Sequence, residues 1–201
     1  MDIYKLLVRD GGGACPPEKF MYIYENFIKN KNTKVIVEIG VYNGCFLLPI
    51  TVLNNNVLSY GIDPYKPYLQ TDIENNKKLF ELAKSMSMNA KFLENVYNRL
   101  ITNITEHKIN VKIIRDTAEN AIINFEDDTI DILHIDGNHD YSSVLKDLQL
   151  YSKKIINNGI IVMDDINWQG VKKALDEFLL VNNNFKIIVA INPTWCIIQK
   201  S

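Results

Sequence analysis

The chain has 201 residues, 47% apolar and 23% charged, and its 22 Lys and Arg against 24 Asp and Glu leave a formal charge of −2. That is the make-up of one globular domain with a sizeable core, and the near-balance of charge argues against a dominant nucleic-acid-binding face. No stretch approaches the roughly 18 to 20 consecutive apolar residues of a membrane span, and "MDIYKLLVRDGGG" lacks the basic and long apolar regions of a signal peptide.

Cys15, Cys45 and Cys196 are widely spaced and odd in number, which suggests neither a zinc site nor a disulfide framework. Buried thiols in a reducing, cytoplasmic setting are the expectation. A single domain over 1–201 follows, opening with a helical segment at 1–32. There Pro16 and Pro17 precede "EKFMYIYENFIKN", a place where proline suits a first helical turn. The residues before them are apolar enough for a lid or the arm of a homodimer.

Val- and Ile-rich runs then alternate with helical stretches, the βαβ signature of a parallel sheet in an α/β fold. Strands are expected at 34–40, 57–63, 111–116, 130–136 and 159–165. Two more, 185–191 and 194–200, are separated by only Asn192 and Pro193, which permits antiparallel pairing alone. Between the second and third strands, two helices fit, "DIENNKKLFELAKSM" and "KFLENVYNRLITNITEH". The first belongs to an inserted lid over 64–90.

The first strand ends in Glu38-Ile39-Gly40-Val41-Tyr42-Asn43-Gly44, an E-x-G-x-x-x-G turn. Glycine there lets the backbone turn tightly and approach a ligand. Val41 and Asn43 stand where a pyrophosphate cradle wants glycine, so a dinucleotide is disfavoured. Asp63, ending the second strand, suits two ribose hydroxyls. Together these residues suggest a nucleoside without a pyrophosphate.

"VEIGVYNG", "GIDPY" and the terminal hairpin resemble the class I S-adenosylmethionine-dependent methyltransferases over roughly residues 33–201. The resemblance implies a Rossmann-like, mostly parallel seven-stranded sheet of order 3-2-1-4-5-7-6, last strand antiparallel, with helices on both faces. It implies S-adenosylmethionine as cofactor, bound by Glu38, Gly40, Tyr42, Gly44, Asp63 and Asp136, with Gly40 and nearby backbone along its methionine end and Asp63 on its ribose. Asp116, Thr117 and Ala118 would flank the adenine, although "RDTAE" also reads as a helix N-cap.

Ligands of parallel α/β sheets bind beyond the carboxyl ends of the strands. Asp136 ends the fourth strand; Asp164 and Asp165 end the fifth. If those strands are neighbours, as the resemblance implies, their tips lie about 5 Å apart. Carboxylates so close repel unless a cation compensates, and an all-oxygen set favours Mg²⁺ over zinc. The alternative is that these acids cap the following helices.

"HIDGNHDYSSVLKDLQLYSKKIINNGIIVMDDI" is similar to the macrocin- and mycinamicin-type O-methyltransferases, and its acid layout to catechol O-methyltransferase. The likeness implies Mg²⁺ on Asp136, Asp164 and Asp165, binding an acceptor hydroxyl beside the cofactor's methyl. The "NNG" of 157–159 departs from the Pro-Gly-Gly turn frequent in those relatives. His139 stands where the catechol enzyme has its base and suits proton removal; Asp140 could fill that role, or Asp136 in a metal-free enzyme. His139 also reads as an ordinary loop histidine. His134 is expected in the core, His107 at a helix C-terminus, Trp195 in the core, and Tyr42, Tyr65, Tyr68 and Trp168 near the site. The reading is an O-methyltransferase acting on a small molecule or saccharide, against a metal-independent methyltransferase or a non-catalytic module of the same fold.

Overall fold

The computed structural model describes Cys15 and residues 17–54, 56–67 and 89–201. Residues 1–14, Tyr68 and the helix expected at 72–86, with most of the 64–90 lid, lie outside the described residues. Helix α1 (Pro17–Ile23) continues into one π-helical turn, Tyr24–Ile28. The strands are β1 (Val35–Ile39), β2 (Leu58–Ile62), β3 (Val111–Ile114), β4 (Ile130–Ile135), β5 (Ile155–Met163), β6 (Phe185–Asn192) and β7 (Trp195–Lys200). Between them lie α2 (Leu47–Leu53), α3 (Ala90–Glu106), α4 (Ala118–Ala121), α5 (Tyr141–Tyr151) and α6 (Gln169–Val181).

The strands form one sheet in the order β3-β2-β1-β4-β5-β7-β6. β1 to β5 pair in parallel, and β7 runs antiparallel between β5 and β6. This is the expected topology. The central strands read as unbroken apolar runs because both faces are covered. On one face Val37, Leu133 and Ile161 pack under Val144 and Leu148 of α5 and Val171 and Leu175 of α6. On the other, Ile36, Ile132 and Val162 meet Phe20 and Ile23 of α1 and Phe46, Leu47 and Ile50 around α2. Each such burial stabilises by about 1.5–3 kcal/mol. α1 is therefore fixed against the sheet beside the ends of β1, β4 and β5. Trp195 is in this core too, 5.8 Å from the Tyr22 ring.

Two boundaries differ from expectation. β5 starts at Ile155, so "NNG" lies inside the strand. The pairing with β4 jumps from Ile130–Ile155 to Ile132–Ile160, and Asn158 takes a left-handed φ of 64°. The extra residues are absorbed as a bulge. β3 stops at Ile114, where the Asp116 N–H folds back to the Ile114 carbonyl. Among the described residues no helix is long and apolar enough to cross a membrane.

Past the last ladder pairs, the strand tips are tied in a row. The Gly40 N–H donates to the Ile62 carbonyl at 2.8 Å, Asp63 to Ile114 at 3.2 Å, Asp136 to Ile39 at 2.9 Å and Asp164 to Ile135 at 3.1 Å. Gly40 is the tightest point. Its φ is 87°, and a Cβ there would stand 2.0 Å from the Asp136 carbonyl oxygen and 2.6 Å from the Gly137 Cα. The missing side chain is thus demanded first by the neighbouring strand tip. Gly40→Ala is expected to cost about 3 kcal/mol or more, from backbone strain and overpacking together. Gly137→Ala, whose Cβ would come no nearer to another residue than 3.3 Å, at Ile39 Cγ2, should cost under about 1.5 kcal/mol. Equal denaturation midpoints for the two variants would contradict this account of the seam.

Candidate active site

The half of the crevice formed by β1 and β2 is organised by Asp63. Its Oδ2 accepts from the Tyr42 N–H at 2.9 Å and its Oδ1 from the Tyr65 N–H at 2.8 Å. The Tyr65 hydroxyl donates in turn to the Tyr42 carbonyl at 2.8 Å. Tyr42 and Tyr65 both sit at left-handed φ, 48° and 49°, which costs a tyrosine energy. Asp63 is what holds them there. Burial raises its pKa, opposed by these two N–H donors. Each oxygen, having two lone pairs, keeps one acceptor position.

The other predicted residues of this half are distributed differently. Gly44, at φ 78°, is a glycine because a Cβ would press on Leu100 and Leu48. Glu38 is 2% exposed and turned to the His134 ring. Asp116 accepts from the Thr117 N–H and the Asn120 side chain, and Thr117 is the N-cap of α4. The capping reading of "RDTAE" is therefore met by the structure, and it leaves Ala118 as the first residue of that helix.

Asp136, Asp164 and Asp165 reach adjacent tips of β4 and β5, but their carboxylates are turned to different partners. Asp136, His139 and Asp165 form one group whose ligand-type atoms lie within 4.8 Å of one another. His139 Nε2 is 2.8 Å from Asp165 Oδ2 and 3.9 Å from Asp136 Oδ1, and its ring stacks on Trp168 at 4.8 Å. Burial alone would lower the His139 pKa; Asp165 and Asp136 outweigh it and raise it. Burial pushes the Asp136 carboxyl up, and the nearby Asp164 charge adds to this. Neither acid caps a helix: the N-cap of α5 is Asp140 and that of α6 is Trp168.

Asp164 turns the other way. Its Oδ2 accepts from the ammonium of Lys19, a residue of α1 that the sequence reading missed. Lys19 is 1% exposed and also lies 2.8 Å from His134 Nε2. An ammonium has no lone pair, so Nε2 must be the acceptor. The imidazole is therefore neutral, with its proton on Nδ1 and directed to Glu38 Oε1 at 2.9 Å. Glu38, His134, Lys19 and Asp164 make one buried chain beneath the crevice. Burial works to raise Asp164, yet the Lys19 ammonium against its Oδ2 holds it well below the usual carboxylate range. His134 is buried, as expected of a core histidine, but as the middle of a polar chain; His107 stands at the C-cap of α3.

A protein-family model described as "Methyltransferase domain" matches residues 37–166. Protein R132 of Acanthamoeba polyphaga mimivirus is 32% identical over 149 residues, 72% of this chain and 58% of that protein. Protein y4gI of Sinorhizobium fredii is 26% identical over 72 residues, 36% of this chain and 8% of that protein. The chain thus spans well under two thirds of the curated relatives it matches. Among solved structures, the Bacillus cereus O-methyltransferase in complex with SAH superposes with a TM-score of 0.70 at 11% identity, covering 100% of this chain and 91% of that one. TomG of Streptomyces achromogenes, an O-methyltransferase of tomaymycin synthesis solved with SAM, gives 0.64 at 10% identity, covering 98% and 87%. At these identities the likeness is one of fold.

The Lys19–Asp164 pair has a pH signature. A depressed folded-state pKa gives stability that is present above the unfolded carboxyl value and lost as pH falls through the folded one. Asp164→Asn should therefore cost about 3 kcal/mol at pH 7, since it strands a buried ammonium. The gap to the unmutated protein should narrow as pH falls below about 4. Urea midpoints across that range check it, and a pH-independent gap would mean the carboxylate charge is not what Lys19 needs.

Proposed function

Because the chain belongs to the methyltransferase-domain family, we propose that it transfers the methyl group of S-adenosylmethionine to a hydroxyl of a small molecule or saccharide. The observation that carries this reading is the meeting of two half-sites at adjacent strand tips: the loop clamped by Asp63, and the Asp136–His139–Asp165 group. On the first half, the two spare acceptor positions of Asp63 take the two ribose hydroxyls. Gly40, Tyr42 and Gly44 shape the backbone along the methionine end, above Glu38, and Asp116, Thr117 and Ala118 edge the adenine. Asp136 stands between this half and the acceptor.

The donor set on the second half fits a divalent ion: two carboxylates and an imidazole converge there. Asp136 and Asp165 would hold Mg²⁺, with Asp164 available only if Lys19 lets go of it. When bound, such an ion lowers the pKa of an acceptor hydroxyl and fixes its direction. His139 takes the hydroxyl proton, oriented by Asp165 and by stacking on Trp168. The two carboxylates stabilise the imidazolium that results. The oxygen attacks the methyl carbon, the carbon–sulfur bond breaks, and its electron pair stays on sulfur, leaving S-adenosylhomocysteine. The sulfonium charge disappears in this step, so rate enhancement rests chiefly on positioning.

A metal-free reading also has an observation in its favour. Burial and Asp164 raise the Asp136 carboxyl toward the range of a useful base. Turnover that survives EDTA would select it.

Thermal unfolding with S-adenosylhomocysteine, with and without Mg²⁺, tests the reading. At 100 times its dissociation constant the nucleoside should add about 2.7 kcal/mol, a rise of roughly 5–10 °C for a chain of this size. Asp63→Ala should abolish the rise. No shift in the unmutated protein would point to a non-catalytic module of the same fold.

A further inference from the structure

The acidic tips already contain a cation. We propose that Lys19 is a resident counter-ion that withholds Asp164 and His134 from a divalent metal, confining any ion to the Asp136 and Asp165 carboxylates. This rests on the metal-assisted reading above and specifies which of its ligands are free.

Two candidate metal groups meet at Asp136: the half-exposed Asp136–His139–Asp165 set and a buried Glu38–His134–Asp136 set. By residue type alone, the buried set would suit an ion. Glu38 is 2% exposed and, among the described residues, its Oε2 has no hydrogen-bond partner, an uncommon state for a buried carboxylate oxygen. Lys19 closes it. The His134 Nε2 lone pair is spent on the Lys19 ammonium at 2.8 Å and the Nδ1 proton on Glu38 at 2.9 Å, so no ring nitrogen is left for a metal. The same ammonium covers Asp164 Oδ2, while Asp164 Oδ1 accepts from the Asp165 N–H at 3.0 Å. An ion on Oδ2 would stand within roughly 5 Å of the ammonium nitrogen, given metal–oxygen distances of about 2.1 Å. The repulsion there is only weakly screened.

Lys19 reaches this position because α1 is pinned by Phe20 and Ile23 against the sheet face that carries Ile132 and Val162. Its ammonium also lies over the Phe46 ring, 5.8 Å from the centroid. The side chain is thus fixed on every side, which a solvated lysine is not.

Mn²⁺ titration, followed by loss of the free-ion electron paramagnetic resonance signal, tests the assignment in the full chain. Lys19→Met keeps the length and packing of the side chain and removes its charge. It should bind Mn²⁺ at least about tenfold tighter than the unmutated protein, whereas loss of a merely structural contact would leave affinity equal or weaker. Asp164→Asn in the unmodified background is the second variant and does not depend on Lys19→Met folding. It should change Mn²⁺ affinity less than about threefold, and Asp165→Asn should weaken it more than tenfold. Lys19→Met binding no tighter, or Asp164→Asn losing as much as Asp165→Asn, overturns the proposal. If Mn²⁺ binds only once Lys19 is gone, the counter-ion assignment stands and the metal-assisted reading falls. The S-adenosylhomocysteine shift, measured on the same samples, reports separately on the methyltransferase reading.

Discussion

A charged ammonium that is almost wholly sealed from water must be compensated where it stands, and Lys19 is compensated by groups from three strands. It donates to Asp164 at the end of β5 and to His134 of β4, and through that ring it is linked to Glu38 of β1. None of these partners is near it in sequence; the two direct ones are 115 and 145 residues away. The chain therefore pins the N-terminal helix to the carboxyl ends of the central strands by electrostatics as well as by the apolar contacts of Phe20 and Ile23. Buried pairs of this kind add little net stability. What this one contributes is orientation, because it fixes which way each carboxylate at the tip points.

That division of labour explains the arrangement of the acids. Three carboxylates at neighbouring tips would be a concentrated negative charge. Lys19 answers one of them, and the His139 ring is set against Asp165 with Asp136 just beyond. The remaining group is small, half-exposed and open to a ligand. Beneath it, the Glu38–His134–Lys19 chain is dry and closed. The half-exposed group above and the ion pair below share the single residue pair Asp164-Asp165. Asp165 holds a left-handed φ of 50°, and its carboxylate goes to His139 while that of Asp164 goes to Lys19.

Much of this was legible in the sequence, for physical reasons that can be named. Strands buried on both faces must be continuous apolar runs, so β1, β2 and β4 were placed within a residue or two. Acids at the ends of such runs can only be at the rim, so Asp63, Asp136, Asp164 and Asp165 were found as tip residues. The short hairpin connection dictated antiparallel β6 and β7. The bulge inside β5 was hidden because Asn-Asn-Gly is also turn chemistry. Lys19 was missed because a lysine beside Pro-Pro-Glu, on a helix with an apolar side, reads as a solvated residue. Its burial is decided by where α1 docks, which no local pattern encodes. One signal was present: Glu38 and His134 are register partners deep in the sheet, and a buried acid next to a buried histidine calls for a positive charge nearby.

The closest approach in the crevice is the backbone contact at Gly40, where β1 and β4 meet and the chain has passed from one side of the sheet to the other. On the β2 side of that seam stands the loop clamped by Asp63, between residues 40 and 65, and the acidic group on the far side comes from residues after Ile135. The two halves are joined there through main-chain atoms: the Asp136 N–H on the Ile39 carbonyl, and the space left by an absent Cβ. Apart from the glycine that this one demands, such main-chain contacts depend little on which side chains surround them. The residues after β4 and β5 can therefore change, and with them the acidic group, without disturbing the loop that Asp63 clamps. Gly40 is where the two halves have to fit each other.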